Sequence, residues 1–100
     1  MDFQELKKRV EKEVELKKPE FVKDTSTSIN IGELDLGPTQ KLLFSISSFR
    51  DKNYIDIRTW FQDQSGEWKP TKKGVHFNID KFEDFEKMVK IFTTIAAIDS

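Results

Sequence analysis

Aromatic and basic side chains follow one another closely along residues 49–77, and this is the part of the sequence whose residue types suggest a binding chemistry. The stretch contains both tryptophans of the chain, together with arginines and lysines at short spacing. A single strand of nucleic acid needs both kinds of group, because cations meet its phosphates and flat rings stack on its unpaired bases. The pattern therefore indicates a surface that binds nucleic acid.

The charge distribution agrees with this interpretation, although the whole chain has a net charge of -1. Residues 38–77 carry seven basic and four acidic side chains, a net charge of +3. Residues 1–37, with seven basic and nine acidic side chains, and residues 78–100, with three and five, each have a net charge of -2. Exposed charges more than about 8 to 10 Å apart are largely screened at physiological salt. The acidic ends therefore do not exclude a local basic surface.

The sequence offers little material for catalysis. It has no cysteine and one histidine, His76, which we expect to be a surface or interface residue. Its carboxylates fall in helical salt-bridge patterns or in turns, without a recognisable acid and base pair. No metal-ligand cluster, nucleophile motif or glycine-rich phosphate loop is present. We therefore predict neither an enzyme nor a cofactor or metal site.

Length and the amino-terminal residues define the class of protein. One hundred residues make a single domain, and a domain of this size buries only roughly 60 to 70% of the surface of its unfolded chain. Dimerisation would therefore add useful burial. The first residues are charged, and no apolar run approaches the ~18 residues of a membrane span. We expect a soluble protein without a membrane partner, cytoplasmic and nucleoid-associated if bacterial or viral, and nuclear if eukaryotic.

The first third of the chain predicts a helix and a short strand. Residues 2–18 show apolar side chains at helical spacing, with Asp2 as a cap and Pro19 as the residue that ends the helix. The narrow apolar stripe of this helix must pack on something: it would extend a dimer, cover the back of the sheet or recruit another protein. Residues 29–36 predict a short strand or an irregular hairpin arm.

From Lys41 the apolar pattern changes to a period of two, which predicts strands with two distinct faces. One face would carry the apolar side chains of two successive strands: Leu42, Phe44, Ile46, Ile55, Ile57 and Thr59. The other would carry small, charged and aromatic side chains: Leu43, Ser45, Ser47, Phe49, Tyr54, Asp56, Arg58 and Trp60. Residues 50–53 would form the turn between these two strands. A third strand, interrupted between 70 and 74, would place Pro70 at an edge or a bulge.

The last part of the chain predicts a helix that begins at Asn78 or Asp80. Its apolar stripe consists of Phe82, Phe85, Val89, Phe92 and Ala96, and it is widened by Met88, Ile91 and Ile95. So wide a stripe suggests that one side of the helix packs on the sheet and the other on a partner chain.

Residues 49–82 resemble the carboxy-terminal domain of the transcriptional coactivator called positive cofactor four, and its bacterial and phage relatives. The matching motifs are Phe49-Arg50-Asp51-Lys52, Ile55-Asp56-Ile57-Arg58 before the pair Trp60-Phe61, Gly66-Glu67-Trp68-Lys69-Pro70, Lys72-Lys73-Gly74-Val75, and a helix that follows Asn78 and carries Phe82. The resemblance covers about half of the chain.

The resemblance implies an α+β fold, a curved four-stranded antiparallel sheet followed by a carboxy-terminal helix, with the helix of residues 2–18 as an addition to residues 29–98. It implies a homodimer formed through the carboxy-terminal helices, and grooves that bind single-stranded DNA with little sequence preference, in support of transcription, replication or repair. Phe49 and either Trp60 or Phe61 would stack on bases. Arg50, Lys52, Arg58, Lys72 and Lys73 would meet phosphates, and Lys69 would join them.

Several departures from the family pattern leave alternatives open. Leu42 and Ser47 stand where the family usually has basic residues, and Thr71 replaces a glycine, so we expect weaker and less salt-sensitive binding. RNA stays possible as a ligand, because stacking and phosphate contacts do not read the sugar. The rival hypothesis is a dimeric scaffold that binds proteins and no nucleic acid. A purely structural interpretation of the same side chains is also open. The aromatic rings would then close the edge of a small core, Arg58 would pair with Asp56, and the lysines of residues 69–73 would lie in a solvated turn.

Overall fold

The computed structural model describes all residues from 1 to 100. Its elements in chain order are α1 (Phe3–Glu13), β1 (Ser28–Gly37), β2 (Gln40–Phe49), β3 (Lys52–Gln62), β4 (Trp68–Asn78) and α2 (Phe82–Asp99), with a 3-10 turn of helix at Ile79–Lys81 before α2. The predicted α+β class, with four antiparallel strands between two helices, is confirmed.

The strands form one sheet in the order β1-β2-β3-β4, so β1 and β4 are its edges. The short strand predicted at residues 29–36 is a full strand of ten residues. The predicted interruption in the last strand is instead a register shift within a continuous β4. Pro70 lies on this edge strand, where its missing N–H does not break the sheet.

The register of the two central strands gives the sheet two chemically different faces. Phe44 lies opposite Ile57 and Ile46 opposite Ile55, so these side chains and Leu42 form an apolar face. Ser45 lies opposite Asp56, and Phe49 opposite Lys52. The second set, Ser45, Ser47, Tyr54, Asp56 and Arg58, forms the polar face. The predicted division into two faces is confirmed.

A two-residue turn joins β2 and β3. Arg50 and Asp51 have φ angles of 51° and 62°, the left-handed conformation that two-residue hairpin turns require because it matches the twist of the strands. The turn is shorter than the four residues predicted for it, since Lys52 and Asn53 already pair in the sheet.

The amino-terminal helix begins where it was predicted but ends early. The Asp2 carboxylate accepts a hydrogen bond from the Glu5 N–H at 2.9 Å, as a cap does. The helix stops at Glu13, and Val14 is already extended, so the prediction that it reaches residue 18 is wrong. The chain must turn across the edge of β1 here, and the backbone oxygen of Lys17 lies against Gly32.

Helix α1 packs on the apolar side of the sheet. Phe3 is buried, and the Asn53 side-chain amide donates a hydrogen bond to the backbone oxygen of Met1 at 3.1 Å. Val10 and Val14 line a hollow on the apolar face of the sheet. Part of the apolar stripe of α1 therefore covers the back of the sheet.

Helix α2 leaves most of its apolar stripe uncovered. Asn78 caps the 3-10 turn, where its side-chain oxygen accepts from the Asp80 N–H at 2.9 Å, and Asp80 is not the cap. The Phe85 ring contacts Phe77, with ring centroids 4.9 Å apart. Beyond it the helix is exposed, and Phe92 keeps 69% of its surface in solvent. Neither helix is long and apolar enough to cross a membrane.

At Gly74 the backbone of β3 leaves no room for a side chain on β4. A Cβ at this position would lie 2.3 Å from the backbone oxygen of Ile57. We expect Gly74→Ala to destabilise the fold by about 1 to 3 kcal/mol, as overpacking does. Urea denaturation measures the change. Gly37→Ala is the matched control, since nothing lies within 4 Å of its added methyl group. Equal midpoints for the two variants would contradict the prediction.

Candidate nucleic-acid interface

The tip of the β2–β3 hairpin exposes an aromatic ring between two cations. Phe49 keeps 60% of its surface in solvent. The Arg50 guanidinium lies over the Phe49 ring, 5.0 Å from its centroid. Lys52 lies opposite Phe49 in the register. Neither Arg50 nor Lys52 is among the ion pairs of the structure. The tip therefore offers free positive charge beside an accessible ring.

Arg58, in the middle of the polar face, is already paired. Its Nε lies 3.3 Å from an Asp56 carboxylate oxygen, and its Nη1 donates to the backbone oxygen of Thr71 at 3.0 Å. The ion pair between Arg58 and Asp56 that the sequence suggested is thus present. A phosphate that met Arg58 would share it with Asp56.

Two further lysines of the predicted set lie on the edge strand. Lys72 and Lys73 are exposed, and neither forms an ion pair. They lie at the register shift of β4, where the Thr71 hydroxyl donates to the backbone oxygen of Thr59 at 2.7 Å and accepts from the Lys73 N–H at 3.1 Å. Thr71 therefore holds this part of the edge strand in place.

Trp60 lies on the polar face, as predicted, but a segment from the amino-terminal third covers it. The strap, residues 17–24, runs from the edge of β1 onto this face. Its Phe21 ring packs edge-on against Trp60 with centroids 5.3 Å apart, and against Trp68 at 5.4 Å. Trp60 is therefore half-buried.

Further contacts fasten the strap. Pro19 is buried. The Asp24 carboxylate accepts from the Lys18 ammonium at 2.6 Å and from the Asn30 N–H at 2.8 Å, and these contacts help to hold the pKa of Asp24 below its usual value although burial opposes them. The Lys41 ammonium lies 5.3 Å from the ring centroids of both Phe21 and Trp68. The strap is thus an ordered part of the sheet surface.

Phe61 and Lys69 lie on the opposite side of the sheet from Trp60. They face each other in the register, and Phe61 keeps 39% of its surface exposed. The Lys69 ammonium pairs with Asp63 at 3.0 Å, which raises the pKa of Lys69. The pKa of Asp63 is well below its usual value because the Ser65 hydroxyl, Lys69 and backbone N–H groups donate to its carboxylate.

The structure thus brings together only part of the predicted set. Phe49, Lys52, Arg58 and Trp60 share the polar face, whereas Phe61 and Lys69 do not lie on it. Phe21 was not among the residues predicted for the site. The signal was present: Phe21 and Val22 are an apolar pair directly after Pro19, in a segment with no predicted element of its own.

Comparisons with known proteins place this geometry in a family. The sequence model of the family described as Transcriptional Coactivator p15 (PC4) matches residues 36–88. These residues extend from the end of β1 into α2 and contain all nine predicted site residues.

Two solved structures are similar to this chain. One is a PC4 homologue from Burkholderia pseudomallei, with a TM-score of 0.61 and 18% identity, where the match covers 71% of this chain and 96% of that one. The other is a bacteriophage T5 homologue of the eukaryotic transcription coactivator PC4, implicated in recombination-dependent DNA replication. Its TM-score is 0.53 and its identity 29%, and the match covers 72% of this chain and 80% of that one.

The packing of Phe21 gives a second prediction, because the two tryptophans it contacts are the only ones in the chain. We expect Phe21→Ala to shift tryptophan emission to longer wavelength and to increase quenching by acrylamide, since both rings gain contact with water. The loss of stability should be at most about 3 kcal/mol, because Phe21 is only half-buried. Phe49→Ala, at the far end of the sheet, is the control and should leave the emission unchanged. Unaltered emission of Phe21→Ala would show that the strap does not lie on these rings.

Proposed function

Because the chain belongs to the PC4 family of transcriptional coactivators, we propose that it binds single-stranded DNA without sequence preference and acts as an accessory factor of transcription, replication or repair. The observation that carries the proposal is the hairpin tip, where an exposed Phe49 ring stands between the unpaired cations Arg50 and Lys52. Stacking on such a ring tolerates any base, since every base has a π-face.

The ligand follows an extended path and does not enter a pocket. On β3, Phe61 lies nine positions after Lys52, which at about 3.4 Å per residue is roughly 31 Å. Four of the six cations predicted for the site form no ion pair: Arg50, Lys52, Lys72 and Lys73. If each neutralises one phosphate, the logarithmic salt slope is about -2.8, at roughly 0.7 for each contact on a single strand. Arg58 and Lys69 contribute less, because each already has a carboxylate partner.

Among the predicted aromatic residues, exposure separates the two candidates for the second stacking ring. Phe61 presents its ring to solvent, whereas the edge of the Phe21 ring lies against Trp60. We therefore assign base stacking to Phe49 and Phe61, and a supporting role beneath the strap to Trp60. The two rings lie on opposite faces near opposite ends of β3, so a strand that reaches both must pass over an edge of the sheet or continue onto a second subunit.

A second copy of the chain is the occupant we propose for α2 and for the hollow between α2 and the apolar face. The hollow between them has a volume of about 490 Å³, and its lining, from Phe44, Ile57, Phe85 and their neighbours, is almost entirely apolar. The exposed residues of α2 continue this surface for 18 residues, about 27 Å at 1.5 Å per residue. A monomeric protein rarely exposes a continuous apolar surface of this extent. Pairing two such helices would bury it.

Titration of labelled oligo-dT by fluorescence anisotropy tests the binding proposal. We expect Phe49→Leu to weaken binding by at least about fivefold, because a lost base stack is worth about 1 to 3 kcal/mol. Phe49→Trp should retain affinity, since it keeps a flat ring. Lys52→Ala should reduce the salt slope by about 0.7.

Lys12→Ala is the matched control for the charge change, because Lys12 is exposed on α1, away from the proposed path. Oligo-U and duplex DNA of the same length are the comparison ligands, and equal affinity for oligo-U would extend the ligand class to RNA. If the wild-type chain binds none of these ligands, the dimeric protein-binding scaffold takes the place of this proposal.

The oligomeric state tests the role of α2. We expect light scattering with size exclusion to give the wild-type chain a mass about twice its 11.8 kDa. Phe92→Glu should give a monomer, because it places a charge in the middle of the proposed interface. Lys87→Glu, a charge change at an exposed lysine of the same helix, should leave the dimer intact. A wild-type monomer would contradict the proposed pairing.

A further inference from the structure

The open half of the polar face carries a stacked pair of rings that the predicted site does not include. Tyr54 on β3 and His76 on β4 lie with their ring centroids 4.7 Å apart and their planes 17° from parallel. The strap contacts Trp60 and Trp68 and leaves this end of the face uncovered. The His76 side chain keeps 44% of its surface in solvent, so the pair presents an accessible flat surface.

We propose that Tyr54 and His76 form a second base-stacking platform on the polar face, next to Phe49. This inference rests on the proposed binding of single-stranded nucleic acid and adds two residues to it. Tyr54 lies opposite Ser47, two residues from Phe49 on the same face, which places it diagonally across the pair at about 7 to 8 Å. That spacing is about twice the 3.4 Å rise of stacked bases, so two successive bases would be held apart from each other, one on each platform.

The charged neighbours of the pair fix its orientation. Asp56 lies opposite His76 in the register, and its carboxylate is 3.2 Å from the His76 Nδ1. A carboxylate only accepts hydrogen bonds, so Nδ1 carries the proton and donates, and Nε2 points away as the acceptor in the neutral ring. The same carboxylate holds the guanidinium of Arg58. The ring is therefore held in place before a base arrives, with a cation beside it for the adjoining phosphate.

Substitutions at His76 separate stacking from a purely structural cross-strand contact. We expect His76→Ala to weaken binding to oligo-dT by at least about fivefold, the lower end of the range for one lost base stack. His76→Phe keeps a flat ring and should retain most of the affinity. Val75→Ala is the control, since Val75 is the exposed neighbour of His76 on the other face of the same strand. Thermal melting of each variant reports its effect on the fold separately.

The single histidine of the chain also allows a direct observation. On addition of oligo-dT, the carbon-bound ring protons of His76 should move upfield in the NMR spectrum, because a stacked base shields them. If Phe49→Leu weakens binding while His76→Ala has wild-type affinity and the His76 signals do not move, the platform is wrong and the proposed function stands. If the wild-type chain does not bind oligo-dT, both are wrong.

Discussion

The unbroken pairing of β2 with β3 is the constraint on which the other features of this protein depend. The two strands pair residue for residue from Gln40 and Phe61 to Phe49 and Lys52. Because side chains alternate between faces, a slip of one residue would exchange the apolar and polar faces completely. The pairing therefore fixes at once which side of the sheet takes α2 and which side presents Tyr54 and Arg58.

The two faces of the sheet are covered to different extents by the rest of the chain. The apolar face, together with α2, leaves a large hydrophobic surface that one copy of this chain does not cover. The polar face is divided by the strap into a covered half around Trp60 and an open half around His76. The amino-terminal segment contributes to both, since Val10 and Val14 lie on the apolar side and Phe21 on the polar side. It lies against the first half of β1, at Asn30 and Gly32, and covers that part of the sheet edge.

The sequence predicts those parts of the structure that depend on local pattern. Alternation along 41–60 gives the correct faces, and Asp2 gives the correct start of α1. The end of α1 and the covering of Trp60 were missed, because both depend on contacts between residues distant in the chain: Lys17 with Gly32, and Phe21 with Trp60. A hydrophobic period or a residue propensity describes a short stretch of sequence, so it cannot predict a contact between distant residues. The same holds for the stack of Tyr54 on His76, since these residues are 22 positions apart and meet only through the register of β3 and β4.

The hairpin tip shows how stability and charge compete at one place in the chain. Two-residue turns of this kind favour asparagine, aspartate and glycine, which adopt positive φ readily, whereas Arg50 takes that conformation with a long side chain. A left-handed residue other than glycine carries a strain of roughly 1 to 2 kcal/mol. Glycine or asparagine at position 50 would relieve this strain, but it would also remove the cation that Arg50 places over the Phe49 ring. Selection for stability and selection for positive charge would therefore favour different residues at position 50.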